Sequence, residues 1–203
     1  MVCVDIAVEG ITDEAVVRQI VEHLGATIGG VYGKAGKAAL LQRVSGYNNA
    51  ARFSPWFVLV DLDRDGECAP TLTAEWLPNP APLMCFRVAV REVETWLLAD
   101  RENISLFLGV PRTRVPVDPE ALDDPKRTMV DLARHSRKMA IRDDMVPRPG
   151  SGRAAGRAYA SRIIEFASRH WRPEVATGRC DSLRRTLACL QRLLANTDGG
   201  VDE

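Results

Sequence analysis

Two hydrophobic periodicities alternate through residues 1–100 and mark out the elements. Val2–Val8 is a short β-rich apolar run and reads as a strand. A helix is expected from Thr12, a capping residue followed by Asp13 and Glu14 for the positive first turn. Val16, Val17, Ile20, Val21 and Leu24 then recur on one helical face and Gly25 stops it. "ATIGGVY" reads as a second strand, and a helix is expected through Leu40, Leu41 and Val44. Phe57–Val60 is the clearest strand. A helix near Thr71–Leu77, a strand at Leu83–Val90 and a helix over "REVETWLLAD" follow, the last with Val93, Trp96 and Leu97 facing inward. Strands separated by helices predict an α/β fold, a mostly parallel sheet with helices on both faces.

After Asp100 the pattern changes. "GVPRTRVPVDPEALDDPK" carries four prolines and reads as an ordered connector over 109–126. Three helices are expected beyond it, Arg127–Met139, Gly152–His170 and Ser182–Leu194, forming a C-terminal helical annex packed on a core of residues 1–108. The basic region then spans 127–195, and a frayed tail covers 196–203.

The chain has 203 residues, enough for one domain with such an annex. No apolar stretch approaches the roughly 18–20 residues that cross a bilayer. No basic segment followed by an apolar core opens the sequence, so neither a membrane span nor a secretion signal is expected. Five scattered cysteines read as reduced thiols of a cytoplasmic protein. The zero net charge conceals an asymmetry: residues 1–100 hold 8 Lys/Arg against 13 Asp/Glu, whereas 126–192 hold 16 against 6. Such a division suits an acidic half that holds metal and a basic half that attracts a polyanion, or simply an arginine-rich solvated surface.

In an open parallel sheet ligands bind beyond the carboxyl ends of the strands. Glu9 follows the first strand. Asp61, Asp63 and Asp65 follow the third, and Arg91, Glu92 and Glu94 the fourth. Asp61 and Asp63 point the same way while the chain stays extended. Like charges so placed take up a proton or a cation, and all-oxygen ligands suit Mg²⁺, or Mn²⁺ in its place. The expected metal set is Glu9, Asp61, Asp63 and Asp65. An exposed acidic loop would produce an isolated Asp-x-Asp equally well.

"EGITDE" and "DLDRDG", in that order and on those strands, resemble the two acidic motifs of the Toprim (topoisomerase–primase) domain. "VAVREVETWLLAD", "DPEALDDPK" and "SLRRTL" are similar to a bacterial Toprim-like family, domain-of-unknown-function family 4276, so that the resemblance runs from Val4 to about Leu194. It implies a Toprim fold and metal-dependent phosphodiester hydrolysis of DNA or RNA, often with a partner ATPase in defence against phage. Glu9 then matches the Toprim glutamate, Asp61 and Asp63 the metal pair, and Arg91, Glu94 and Asp100 the signature of the family. The Glu-Gly-x-x-Glu pattern of the related OLD-family (overcoming lysogenization defect) nucleases has Asp13 in its last place, leaving open whether Asp13 or Glu14 matters. The expected catalytic set is Glu9, Asp61, Asp63, Arg91 and Glu94, with Arg91 either clamping phosphate or orienting Glu94.

Other motifs fail on spacing. "GGVYGKAGKAAL" has Val31 where a P-loop needs its first glycine and Ala38 where it needs a hydroxyl. Lys34 and Lys37 are instead expected near nucleic-acid phosphate or in a solvated loop. "GSGRAAGRAYA" lacks a preceding strand and reads as the start of a closely packed helix on which Arg153 and Arg157, four apart, would face a nucleic-acid backbone, with Arg162, Lys126, Arg134, Arg137 and Lys138 extending that surface. His23, His135 and His170 show no metal spacing, and Tyr32, Tyr47 and Tyr159 no distinguishing context. The expectation is a cytoplasmic Mg²⁺-dependent nuclease of Toprim type, possible as a homo-oligomer. The alternative is a non-catalytic or partner-dependent subunit of an ATPase-containing complex.

Overall fold

The computed structural model describes residues 2–63 and 69–198. Four strands, β1 (Cys3–Val8), β2 (Thr27–Gly33), β3 (Trp56–Asp61) and β4 (Met84–Ala89), form one parallel sheet in the order β2-β1-β3-β4. From β1 the chain steps outward to β2, then reverses direction to β3 and β4. With crossovers of one hand, that reversal sends the first helix to one face and the next three to the other. Helix α1 (Ile11–His23) accordingly covers one face, and α2 (Lys37–Leu41), α3 (Val44–Ala50) and α4 (Ala69–Trp76) the other.

Alternation along the strands builds the two cores. Val4, Ile6, Val8, Phe57, Leu59 and Cys85 enter the core shared with α1, whereas Ala7, Trp56, Val58, Val60, Phe86 and Val88 enter the smaller one under α2–α4. Both faces are covered, which is why "WFVLV" is apolar without interruption. One irregularity separates β1 from β2: register slips between Val4 and Ile6, and the Asp5 carboxylate accepts from the Gly30 N–H at 2.6 Å.

The remaining helices are α5 (Val93–Ala99), α6 (Arg101–Leu108), α7 (Pro125–Arg134), α8 (Met139–Met145), α9 (Tyr159–Arg169), α10 (Pro173–Ala176) and α11 (Asp181–Asp198), with 3-10 turns at Arg112–Arg114 and Thr177–Arg179. Every residue of α5 is buried, and the larger core runs without a break from Val4 to Leu193. The C-terminal helices are therefore layered on the sheet. No described helix is long and apolar enough to cross a membrane.

Four expectations are corrected. Helix α1 starts at Ile11 with Gly10 as its N-cap, so Thr12 lies inside it. The helix expected over Arg127–Met139 ends at Arg134, because the Ser136 hydroxyl donates to the Leu108 carbonyl and accepts from the Lys138 N–H, competing with helical continuation. The helix expected from Gly152 starts only at Tyr159: Gly152 has φ +66°, and the Gly156 N–H is tied to the Met145 carbonyl at 2.9 Å. Arg153 and Arg157 thus sit on an exposed loop, not four apart on a helix. Helix α11 continues through Asp198, into the stretch expected to fray.

Asp100, matched above to a family signature, has a scaffolding role. It is fully buried, accepts from Asn103 N–H as the N-cap of α6, and takes a bidentate pair from Arg172 at 3.0 and 2.8 Å. Asp100→Ala would leave Arg172 without its buried partner and remove the cap. Because Arg172 is partly exposed and keeps Glu102, the expected loss is about 2–4 kcal/mol in urea unfolding, one charged hydrogen-bonded pair and one cap; a loss under about 1 kcal/mol, typical of surface pairs, would contradict this role.

Candidate metal and phosphate site

The strand order reverses between β1 and β3, and the crevice beyond their carboxyl ends is where the candidate residues meet. Glu9 follows β1 directly. Its Oε1 accepts from the Asp61 backbone N–H at 2.8 Å, which ties the two acidic motifs together across 52 residues of sequence. The loop after β2 is laid over the same edge: Lys34 N–H donates to the Val8 carbonyl at 2.8 Å and Gly36 N–H to the Glu9 carbonyl at 3.0 Å. Gly33 permits this approach, since a Cβ there would lie 2.2 Å from the Val8 carbonyl oxygen and φ is +85°.

Three non-glycine residues have positive φ among the described residues: Lys34 (67°), Asp63 (50°) and Arg91 (62°). Each follows a different strand on this one edge. Asp63 and Arg91 hold each other in place, with Asp63 N–H donating to the Arg91 carbonyl at 2.8 Å and an Arg91 guanidinium N–H donating to the Asp63 carbonyl at 3.0 Å. Backbone conformations of this cost persist where the surroundings over-determine them, and they gather at ligand sites.

Asp61 is the centre of the charge problem. Its Oδ1 is sealed from solvent and has no hydrogen-bond partner among the described residues. Burial, and then the charges of Asp13, Glu94, Glu9 and Asp63, push its carboxyl well above the usual range. Burial likewise raises Glu9 to about 7, against the hydrogen bond from Asp61 and the charge of Lys37. Asp13, 5 % exposed, is raised by burial even though its carboxylate accepts from Gly10 N–H at 2.7 Å. Glu94, 4 % exposed, is raised by burial while its Oε1 accepts from the Tyr159 hydroxyl at 3.0 Å. Glu92 rises to about 7 through burial and the Glu94 charge, its Oε2 accepting from Lys126 N–H at 3.0 Å.

Of the expected residues, Glu9, Asp61, Asp63 and Glu94 converge on this edge with Arg91 at its rim; Asp65 lies outside the described residues. Lys37 also arrives, its Nζ 2.5 Å from Asp63 Oδ2. Lys34 pairs with Glu14 at 3.1 Å, and Glu14 also pairs with Arg18, so Asp13 is the buried acid of that motif and Glu14 a surface one. Arg162 is engaged by Asp144 and Glu165 and Arg134 by Asp131, while the Lys138 ammonium donates to the Leu106 and Phe107 carbonyls. Arg153 and Arg157 are exposed, on the loop that leads into Tyr159.

Tyr159 and Lys126 escaped the sequence reading as members of this cluster. Lys126 lies over the Tyr159 ring at 5.6 Å, and its charge opposes the rise of both Asp13 and Glu94. No local motif marks these residues; only the docking of α7 and α9 against α5 and α1 brings them in.

Among the described residues no three His, Cys, Asp or Glu side chains form a group that could hold a metal ion. Mg²⁺ commonly takes one or two carboxylates and completes its octahedron with water and substrate oxygen, so a buried, unpartnered Asp61 Oδ1 beside Glu9 suits it. Compared with models of known protein families, with curated proteins and with solved structures, the chain matches none.

Proposed function

We propose that this chain is a Toprim-type phosphodiester hydrolase that uses Mg²⁺, or Mn²⁺, to cut DNA or RNA. The observation that carries the reading is the enclosed, unpartnered Asp61 Oδ1 among carboxylates drawn from three strand ends. A fold seeking only stability would neutralise that oxygen with a hydrogen bond or an arginine. Asp61 with Glu9 beside it would hold the ion, Asp63 joining only if Lys37 released it. When bound, the ion would supply charge neutralisation at the scissile phosphate and a more acidic water. Glu9 has Oε1 committed to Asp61 N–H, which leaves Oε2 to face the ion or to exchange a proton with the attacking water. Arg91 has guanidinium donors beyond the one bonded to the Asp63 carbonyl, and these would grip a phosphate at the rim. Tyr159 orients Glu94, a positioning role. The motif resemblance extends the proposal to a cytoplasmic effector of antiphage defence.

One observation favours the partner-dependent alternative. The Lys37 ammonium occupies Asp63, in the place a cation would neutralise, so an activating partner such as an ATPase would have to draw Lys37 away.

The test is cleavage of supercoiled plasmid, single-stranded DNA and RNA by the purified chain with Mg²⁺ or Mn²⁺. Metal-dependent cutting that EDTA stops supports the enzyme. If every substrate stays intact with either metal, and calorimetry finds no Mn²⁺ binding, the metal-site reading fails. Mn²⁺ binding without cutting moves the reading to the partner-dependent subunit.

A further inference from the structure

A second site lies on the far side of the sheet from β2. Strand β4 is an edge, so side chains from both of its faces reach one groove, and α4 and α11 form the groove's two walls. The cavity measures about 840 Å³, within the roughly 300–1,000 Å³ of small-molecule sites. Pro70, Leu77, Val88 and Val90 make an apolar wall. Opposite them stand Arg87 of β4 with Arg185 and Arg192 of α11.

The charges here are unbalanced in a specific way. Glu120 and Asp181 also line the cavity, but both are engaged: Glu120 accepts from the Asp181 and Ser182 N–H groups at 2.9 and 2.8 Å, and Asp181 pairs with Arg184 and Arg185. Among the described residues neither Arg87 nor Arg192 has a carboxylate partner, and Arg87 Nε is enclosed with no hydrogen-bond acceptor. A buried guanidinium donor left without an acceptor is costly in a folded chain. Behind the groove the Cys189 thiol is lowered to about 7, first by Cys85 and then by the nearby Arg87 and Arg192.

We propose that the groove between α4, β4 and α11 binds a phosphomonoester carried on a flat apolar body, a nucleoside monophosphate in size and chemistry. Two guanidiniums without a carboxylate partner match a phosphate dianion with the bidentate geometry that arginine favours. The apolar wall takes the base, and the volume accommodates one nucleotide. Free nucleotide and the 5′-phosphorylated end of a strand present the same chemistry. None of the carboxylates of the Glu9–Asp61 crevice lines this groove, and its test does not involve them.

The experiment is calorimetric titration of the full chain with adenosine monophosphate in EDTA at low salt, alongside adenosine and a 5′-phosphorylated dinucleotide. Adenosine monophosphate or the dinucleotide is expected to bind with Kd below about 1 mM, and adenosine about tenfold or more weaker. Which phosphorylated probe binds tighter distinguishes free nucleotide from strand end. Arg192→Gln, on the exposed side of α11, is expected to weaken binding about tenfold, the scale of one lost charged hydrogen bond, with Arg192→Lys recovering part of it. Arg87→Gln should act likewise, provided its melting curve matches the parent; where it does not, Arg192→Gln decides alone. Equal binding of adenosine, unchanged affinity in Arg192→Gln, or no binding of either phosphorylated probe at about 5 mM, well above that Kd, overturns the proposal.

Discussion

Asp61→Asn is expected to lower metal-dependent cleavage by about 10²–10³-fold or more while raising the melting temperature of the metal-free protein. Both effects follow from one oxygen. In the native fold the carboxyl is enclosed beside Asp13, Glu94, Glu9 and Asp63, and its Oδ1 has no donor. At neutral pH the unfolded chain keeps Asp61 ionised in water. The folded chain must either desolvate that charge or take up a proton, and both cost free energy. An amide of the same shape removes the cost and removes the cation's anchor. The gain should read as a few degrees, at about 2–4 °C per kcal/mol for a chain of this size. The paired signature separates this residue from Asp100, whose replacement costs stability. Unchanged cleavage in Asp61→Asn, or a fall in melting temperature, would remove Asp61 from the site.

The metal-free protein should be more stable at pH 6 than at pH 8, the reverse of ordinary acid destabilisation. Glu9 and Glu92 stand at about 7 in the fold against a reference of 4.5, and burial raises Asp13, Asp61 and Glu94 as well. Each group therefore holds more proton folded than unfolded across this window. Stability rises as pH falls from about 8 toward 5, because the unfolded state binds fewer protons there. The Cys189 thiol, lowered from 9.0 to about 7, acts in the opposite sense within the window, one group against five. The carboxyls lowered by hydrogen bonds, Glu14, Glu120 and Asp181, do so only at more acid pH. A shift on the order of 5 °C between pH 8 and pH 6 is expected from thermal melts. Mg²⁺ should narrow the gap by stabilising the pH 8 sample more, since protons and metal compete for the same carboxylates. A melting temperature that falls steadily from pH 8 to pH 6 would mean that these acids are not strained in the fold.

The motif carboxylates were legible because strand ends are legible: an apolar run followed by acid places a side chain at the edge of a parallel sheet. Glu9, Asp61 and Glu94 were found that way. The choice between Asp13 and Glu14 was not, because both sit in the first turn of α1 and differ only in which flank faces the crevice. Tyr159 and Lys126 had no signal at all, since each becomes part of the cluster only when a distant helix docks. The arginine pair on "GSGRAAGRAYA" misled for a local reason: alanine-rich composition suggests helix, but a positive φ at Gly152 and the tether at Gly156 delay it to Tyr159.

The sequence alone carried the succession of strands and helices through the first hundred residues, save the break at Gln42–Arg43 that divides one expected helix into α2 and α3. It also carried the burial of the strands on both faces and the edge on which acidic groups emerge. Periodicity and strand ends are local properties that one side chain after another enforces. Only the tertiary structure decided which acids are enclosed, that Asp61 Oδ1 lacks a donor, that Asp100 is a pillar, and that Arg87 and Arg192 share a groove. Those outcomes depend on desolvation and on like charges brought close, energies that arise only when segments remote in the chain are packed together.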